Sequence, residues 1–232
     1  MAIIALGPTV TGIRGTIGGI CFSANRSTTY ARQAYRPSNP RSANQLTART
    51  RLNNLAVAWR ALTSVQRASW DTYAALPAQQ LTNSLGDPYF VSGFNWYVTT
   101  QINLQHIGAA ATTTAPAGAR IAAPIVTNIR VYPTSSANSA RFLYDAADPN
   151  LAAFKAVWAN IQNSTGILNP PNRDYLMKVA VPDGARLVIF QNELETKFGE
   201  LFLGQRAYCR TYNIGADGQA SIAVQLNRDV QF

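Results

Sequence analysis

Residues 1–70 contain no acidic side chain and no lysine. Nine arginines, Arg14, Arg26, Arg32, Arg36, Arg41, Arg49, Arg51, Arg60 and Arg67, precede the first carboxylate, Asp71; the rest of the chain balances eleven Lys and Arg against eleven Asp and Glu. The formal charge of +9 on this chain of 232 residues therefore belongs to its N-terminal third. Charged residues are scarce overall, at 13% against about a quarter in ordinary globular domains. A surface so poor in charge is expected to be covered by something.

Histidine occurs once, at His106, which excludes Ser-His-Asp, Cys-His and multi-histidine metal schemes together. Cys21 and Cys209 lie far apart, so neither a disulfide framework nor a zinc site is expected, and both are read as small buried residues. The opening MAIIALGPTVTGIRG has no basic region before its apolar start and is interrupted by Pro8 and Arg14; neither a signal peptide nor a membrane span is expected. The glycine-rich run GTIGG at 15–19 lacks the Lys-Ser/Thr of a phosphate-cradling loop and reads as a turn. Glu193, Glu195 and Glu200 are read as a solvated face, the first two sharing one side of a strand. No nucleophile-base pair, metal site or cofactor site is expected, and the chain is not read as an enzyme.

What is present is strongest between Pro37 and Ala75. Ala48, Leu52, Leu55, Trp59 and Leu62 follow at steps of four, three, four and three, which places them on one face of a helix. Ser42 stands at its start. Thr63-Ser64-Val65-Gln66 has the pattern of a capping box opening a second helix, which brings Trp70, Tyr73 and Ala74 against that face. Leu52, Leu55, Trp59, Leu62 and Trp70 are the expected helical core. Each buried indole removes of order 150–250 Å² from water, several kcal/mol at about 25 cal/mol per Å² before entropy is counted.

Upstream, residues 1–41 alternate glycines with Ile13, Ile17, Ile20 and Phe22 and read as short strands joined by glycine turns, forming an extended basic arm. Downstream, a third helix is expected from Ser92 to Gly108, with Phe94, Tyr97, Val98 and Ile102 along one side. The small-residue stretch 108–124 reads as a linker. From residue 125 the period changes to two: about seven short strands separated by turn signals are expected, the pattern of a fibronectin type III or immunoglobulin-like sandwich. The fold class is thus α+β: an arm over 1–41, a helical unit over 42–107, a linker over 108–124 and an antiparallel β-sandwich over 125–232.

Gly18-Gly19-Ile20-Cys21-Phe22-Ser23 with Asn25-Arg26, Asn39-Pro40-Arg41-Ser42 with Gln45, and Leu62-Thr63 with Gln66-Arg67 and Trp70 together resemble the N-terminal region of a poorly characterised family of tailed-bacteriophage and prophage virion structural proteins. The pattern continues to Gly86 and Ser92-Gly93-Phe94, covering roughly residues 12–107. Cys21 departs from it, standing where a branched aliphatic residue is expected. The resemblance implies a structural role within the virion, after synthesis in the host cytoplasm, with other virion proteins and copies of the chain itself as partners and no membrane.

Within that role Arg14, Arg26, Arg32, Arg36 and Arg41 are the candidate contacts. Phosphates of packaged nucleic acid are one target, with Tyr30 and Tyr35 placed to stack on bases. Carboxylates and carbonyls of neighbouring subunits are the other, and the planar guanidinium together with the lack of lysine favours it. A host-surface or glycan-binding module in the sandwich loops is a third reading. Fully extended, an arm of forty residues reaches ~130 Å at ~3.3 Å per residue, and ordering it costs on the order of 1–2 kcal/mol per residue. The arm is therefore expected to be mobile in the isolated protein and ordered in the particle.

Overall fold

The computed structural model describes residues 2–4, 6, 10, 12–25, 28–34, 41–83, 85–118, 120–132, 140–162 and 175–230. Two compact units divide the chain: residues 1–99 with 113–117, and residues 100–112 with 118–232. The division falls inside the third helix, and the stretch expected as a linker is shared between the units.

In the first unit the arm is organised as four short strands, β1 (Ala2–Ile4), β2 (Gly15–Ile17), β3 (Ile20–Ala24) and β4 (Thr29–Gln33), paired in the order β1-β4-β3-β2. All pairings are antiparallel. Gly18 and Gly19, at φ 54° and 81°, make the two-residue turn between β2 and β3. Both central residues of such a turn need positive φ, which glycine adopts without a Cβ penalty.

The next elements are α1 (Ala43–Ala61) and α2 (Ser64–Ala74). Ser42 caps α1 by accepting from the Gln45 amide at 3.4 Å. At α2 the capping box is complete: Thr63 Oγ1 accepts from the Gln66 amide at 3.2 Å, and Gln66 Oε1 accepts from the Thr63 amide at 2.9 Å. Each bond satisfies a backbone donor that the first helical turn leaves without an intrahelical acceptor. The strand pair β5 (Leu81–Thr82) and β6 (Pro88–Tyr89) follows, then α3 (Gly93–His106).

Leu62, Trp70, Tyr73, Ala74, Trp96 and Tyr97 form the core of this unit, with Trp59, Val91, Val98 and Ala115 packed against it. Trp70 is fully buried. Its ring meets Tyr73 and Tyr97 edge-on, and Nε1 donates to the Thr113 carbonyl at 3.1 Å. Gly93 permits the close approach of α3 to α2, because a Cβ there would lie 2.5 Å from Asp71 Oδ1 and 2.8 Å from the Asp71 amide nitrogen.

One expected core residue is not in the core. Leu52 is 51% exposed, and every residue from Ala43 to Asn54 is exposed. The apolar stripe of α1 is real, but only its C-terminal part is covered: Leu55 is buried, and Trp59 and Leu62 pack in one core with residues of α2 and α3; periodicity marks a face and does not say how far along it the partner reaches.

The second unit contains β7 (Val126–Val131), β8 (Ala140–Tyr144), β9 (Phe154–Gln162), β10 (Tyr175–Ala180), β11 (Leu187–Ile189), α4 (Gln191–Phe198), β12 (Arg206–Ile214) and β13 (Val224–Asp229). They build two antiparallel sheets, β11-β8-β7 and β10-β9-β12-β13. Alternate residues of both sheets, among them Ile129, Val131, Phe142, Tyr144, Val157, Ala159, Ala207 and Cys209, fill one core with Val188, Phe190, Leu194 and Leu201. This is the architecture of a β-sandwich.

Two details differ from expectation. The segment holding Glu193 and Glu195 is helical, so residues two apart point to different sides. Glu193 pairs with Lys178 at 3.2 Å, and Glu195 accepts from Gln191 Nε2 at 2.8 Å. An alternation of Ile222, Val224 and Leu226 in the sequence predicts a last strand from Ile222, but that strand starts at Val224 and Ile222 is exposed; the Ser221 hydroxyl beside it accepts from the Asn213 amide.

Trp70→Ala is expected to cost about 3–5 kcal/mol, the range for truncating a buried large aromatic, and more than Trp59→Ala, because Trp59 is only half-buried. Thr63→Ala is expected to cost ~0.5–2 kcal/mol through the lost cap. Urea unfolding followed by tryptophan fluorescence checks all three.

Candidate interaction surface

No residue before Leu55 is buried among those described. The sheet β1-β4-β3-β2 carries Arg14 beside β2 and Arg32 on β4, both exposed. Arg41 is exposed as well and sits at φ 50°, the left-handed region rarely adopted by a residue with a Cβ, immediately before the cap of α1. Arg26, Arg36 and Tyr35 lie outside the described residues. Tyr30 is half-buried within β4, less open to stacking than expected.

In the exposed half of α1, Arg49 and Arg51 are exposed, as are Arg60 on α1 and Arg67 on α2. Large apolar side chains are interspersed with them: Ile17, Ile20, Leu46, Leu52, Val57 and Val65 are all exposed. Sequence reading found the arginines from their charge. It missed Leu46 and Val65, and it placed Leu52 inside, because exposure depends on where neighbouring elements end.

Lys178–Glu193 and Arg206–Asp229 pair within the second unit. The Arg206 guanidinium holds the Asp229 carboxyl below the usual carboxylate range. His106 closes α3, half-buried. A cleft of about 460 Å³ is lined by Tyr175, Met177, Glu193 and Lys197, but Glu193 is already paired and the Lys197 ammonium lies 4.2 Å over the Tyr175 ring. Among the described residues no group of three His, Cys, Asp or Glu is placed to hold a metal ion, and no helix is long and apolar enough to cross a membrane.

One inward polar cluster departs from the apolar sandwich core. Lys155, on β9, faces Asn213 on β12 as a direct cross-strand partner. Its Nζ donates to Asp148 Oδ2 at 3.0 Å, to the Asn150 carbonyl at 2.7 Å and to Asn213 Oδ1 at 2.5 Å. It also lies 5.1 Å from the centre of the Tyr144 ring. The Lys155 and Asp148 side chains are both 0% exposed.

Compared with protein-family models, curated proteins and solved structures, the chain matches none.

The two cysteines are expected to separate in reactivity. Burial pushes the Cys209 thiol up to about 12, which leaves almost no thiolate at neutral pH, whereas Cys21 is half-buried on β3. Titration with a thiol-specific disulfide reagent at pH 8 is expected to modify Cys21 in the folded protein and Cys209 only in denaturant. Equal rates for the two would contradict the burial of Cys209.

Proposed function

We propose that this chain is a structural component of a bacteriophage virion and assembles through its N-terminal unit. The observation that carries the reading is the combination on that unit of exposed arginines and exposed apolar side chains, over a stretch with no carboxylate of its own in residues 1–70. A folded surface of this kind is complementary to a partner with acidic groups and apolar contacts, because guanidinium groups pair with carboxylates bidentately and apolar patches favour removal from water. The resemblance of residues 12–107 to virion structural proteins supplies the setting, and other virion proteins or further copies of the chain supply the partner. The three-plus-four order of the sandwich strands supports reading 125–232 as a fibronectin type III-like module, a common form of extracellular and particle-surface domain.

Packaged nucleic acid is the second reading, favoured by the clustering of positive charge alone. It does not use the exposed Leu46, Leu52, Val57 and Val65, since phosphate contacts are electrostatic.

Mass spectrometry of purified particles from the genome encoding this chain is expected to find it as a stoichiometric virion component; its absence would refute the proposal. Simultaneous Arg14→Glu, Arg32→Glu and Arg51→Glu is expected to abolish incorporation while leaving the thermal transition unchanged, since exposed substitutions away from special features usually change stability by less than about 0.5 kcal/mol. If instead the unmodified protein binds duplex DNA with an affinity that falls steeply with salt, and incorporation survives the triple substitution, the nucleic-acid reading prevails. Hydrogen exchange provides a separate check. Amides of residues 15–33 are expected to exchange rapidly in the isolated protein, where no described residue of the sheet is buried, and slowly in the particle.

A further inference from the structure

The buried Lys155 cluster brings together more than a satisfied ion pair needs. An amine, a carboxamide and a carboxyl group meet in a site closed to water: Nζ of Lys155 is 2.5 Å from Oδ1 of Asn213 and 3.0 Å from Oδ2 of Asp148, and Asn213 is fully buried. Each partner is held from behind. Asn213 Nδ2 donates to the Ala122 carbonyl at 2.8 Å, and the Asn213 amide donates to Ser221 Oγ at 2.9 Å. Asp148 accepts from the Asn150 amide at 2.8 Å and from the Ile125 amide at 3.3 Å.

We propose that Lys155 and Asn213 are the two halves of an intramolecular isopeptide bond, formed by the folded chain itself with Asp148 relaying protons. Reacting groups fixed on adjacent strands at hydrogen-bond distance have the proximity that turns a slow amide exchange into an intramolecular step. The site also excludes the water that would otherwise compete for the carboxamide. Burial lowers the proton affinity of Lys155 from its ordinary value, which favours the neutral, nucleophilic amine.

The step balances without any further reactant. Asp148 accepts a proton from the ammonium; the freed Nζ lone pair attacks Cγ of Asn213, and a tetrahedral centre forms with charge on Oδ1. Asp148, now a carboxylic acid, returns that proton to Nδ2, takes up the second proton that the attacking Nζ still carries, and passes it to the departing nitrogen as the carbonyl re-forms and the Cγ–Nδ2 bond breaks. Of the three ammonium protons, one stays on the new amide nitrogen and two leave with the nitrogen of the former carboxamide as ammonium. Asp148 ends as the carboxylate it began as. The product joins β9 covalently to β12 across 58 residues of chain.

The test is the intact mass of the full-length folded protein, with tandem mass spectrometry of its proteolytic fragments. The expected result is a mass lower than the sequence requires by one ammonia, and a branched fragment joining the segment around Lys155 to that around Asn213, with no tryptic cleavage after Lys155. Lys155→Arg and Asn213→Ala are each expected to abolish the mass deficit, and Asp148→Asn to slow its appearance after refolding. The wild-type measurement decides the matter even where a variant fails to fold. An intact mass equal to that of the sequence overturns the proposal, leaving Lys155 as a buried ammonium held by three acceptors. A mass deficit with no branched fragment overturns it as well, because the ammonia would then have left from another site.

Discussion

An amine removed from water must find hydrogen-bond partners, and the sandwich meets that requirement at Lys155. Three separate parts of the chain supply them: Asp148 and Asn150 in the connection between β8 and β9, Asn213 on β12, and the ring of Tyr144 on β8. Burying a polar group without such partners costs roughly 2–7 kcal/mol, a large share of the stability of a typical domain. The network also extends outward. Asn213 ties in Ala122 and Ser221, Asp148 ties in Ile125, and Tyr144 bonds Thr211 across the two sheets at 2.8 Å. Burial drives the Tyr144 phenol well above its ordinary value, so it stays a neutral donor or acceptor. Removing one member strands its neighbours, so these residues act as a unit.

The first unit follows a different rule. Its order comes from aromatic packing about Trp70, whose ring is covered by Tyr73 and Tyr97 and whose indole nitrogen reaches the Thr113 carbonyl. That core is small and confined to the C-terminal part of α1, α2 and the first half of α3. The N-terminal sheet and the leading turns of α1 remain outside it, and both expose arginines and apolar residues. A unit so divided is packed in its C-terminal part and exposed in its N-terminal part.

Local features were legible in the sequence where one physical rule acts over a few residues. The Thr63/Gln66 capping box, the Gly18-Gly19 turn and the alternation along β7 and β12 each follow from contacts between residues near in sequence or from a period of two. The helix α4 escaped detection because its eight residues carry only one buried side chain, Leu194, too few to impose a helical period. Leu52 was misplaced because its stripe is continuous in sequence but its partner helices are not as long as α1.

The candidate surface was half legible, and the buried cluster not at all. Charge is a property of composition, so the arginine-rich, carboxylate-free first seventy residues stand out without any structure. Asp148, Lys155 and Asn213 have no such signature: one lies in a turn, the other two on strands 58 residues apart, and each alone looks like an ordinary polar residue. The antiparallel register of β9 and β12 sets Lys155 opposite Asn213, and the closing of the two sheets removes the water that would have dispersed them. Sequence alone determined most of the elements, their order and the placement of charge, since these depend on local periodicity and composition. Tertiary structure decided which polar groups meet in the dark of the core, because strand register and sheet packing, unlike helix or strand propensity, are set by contacts between residues distant in the chain.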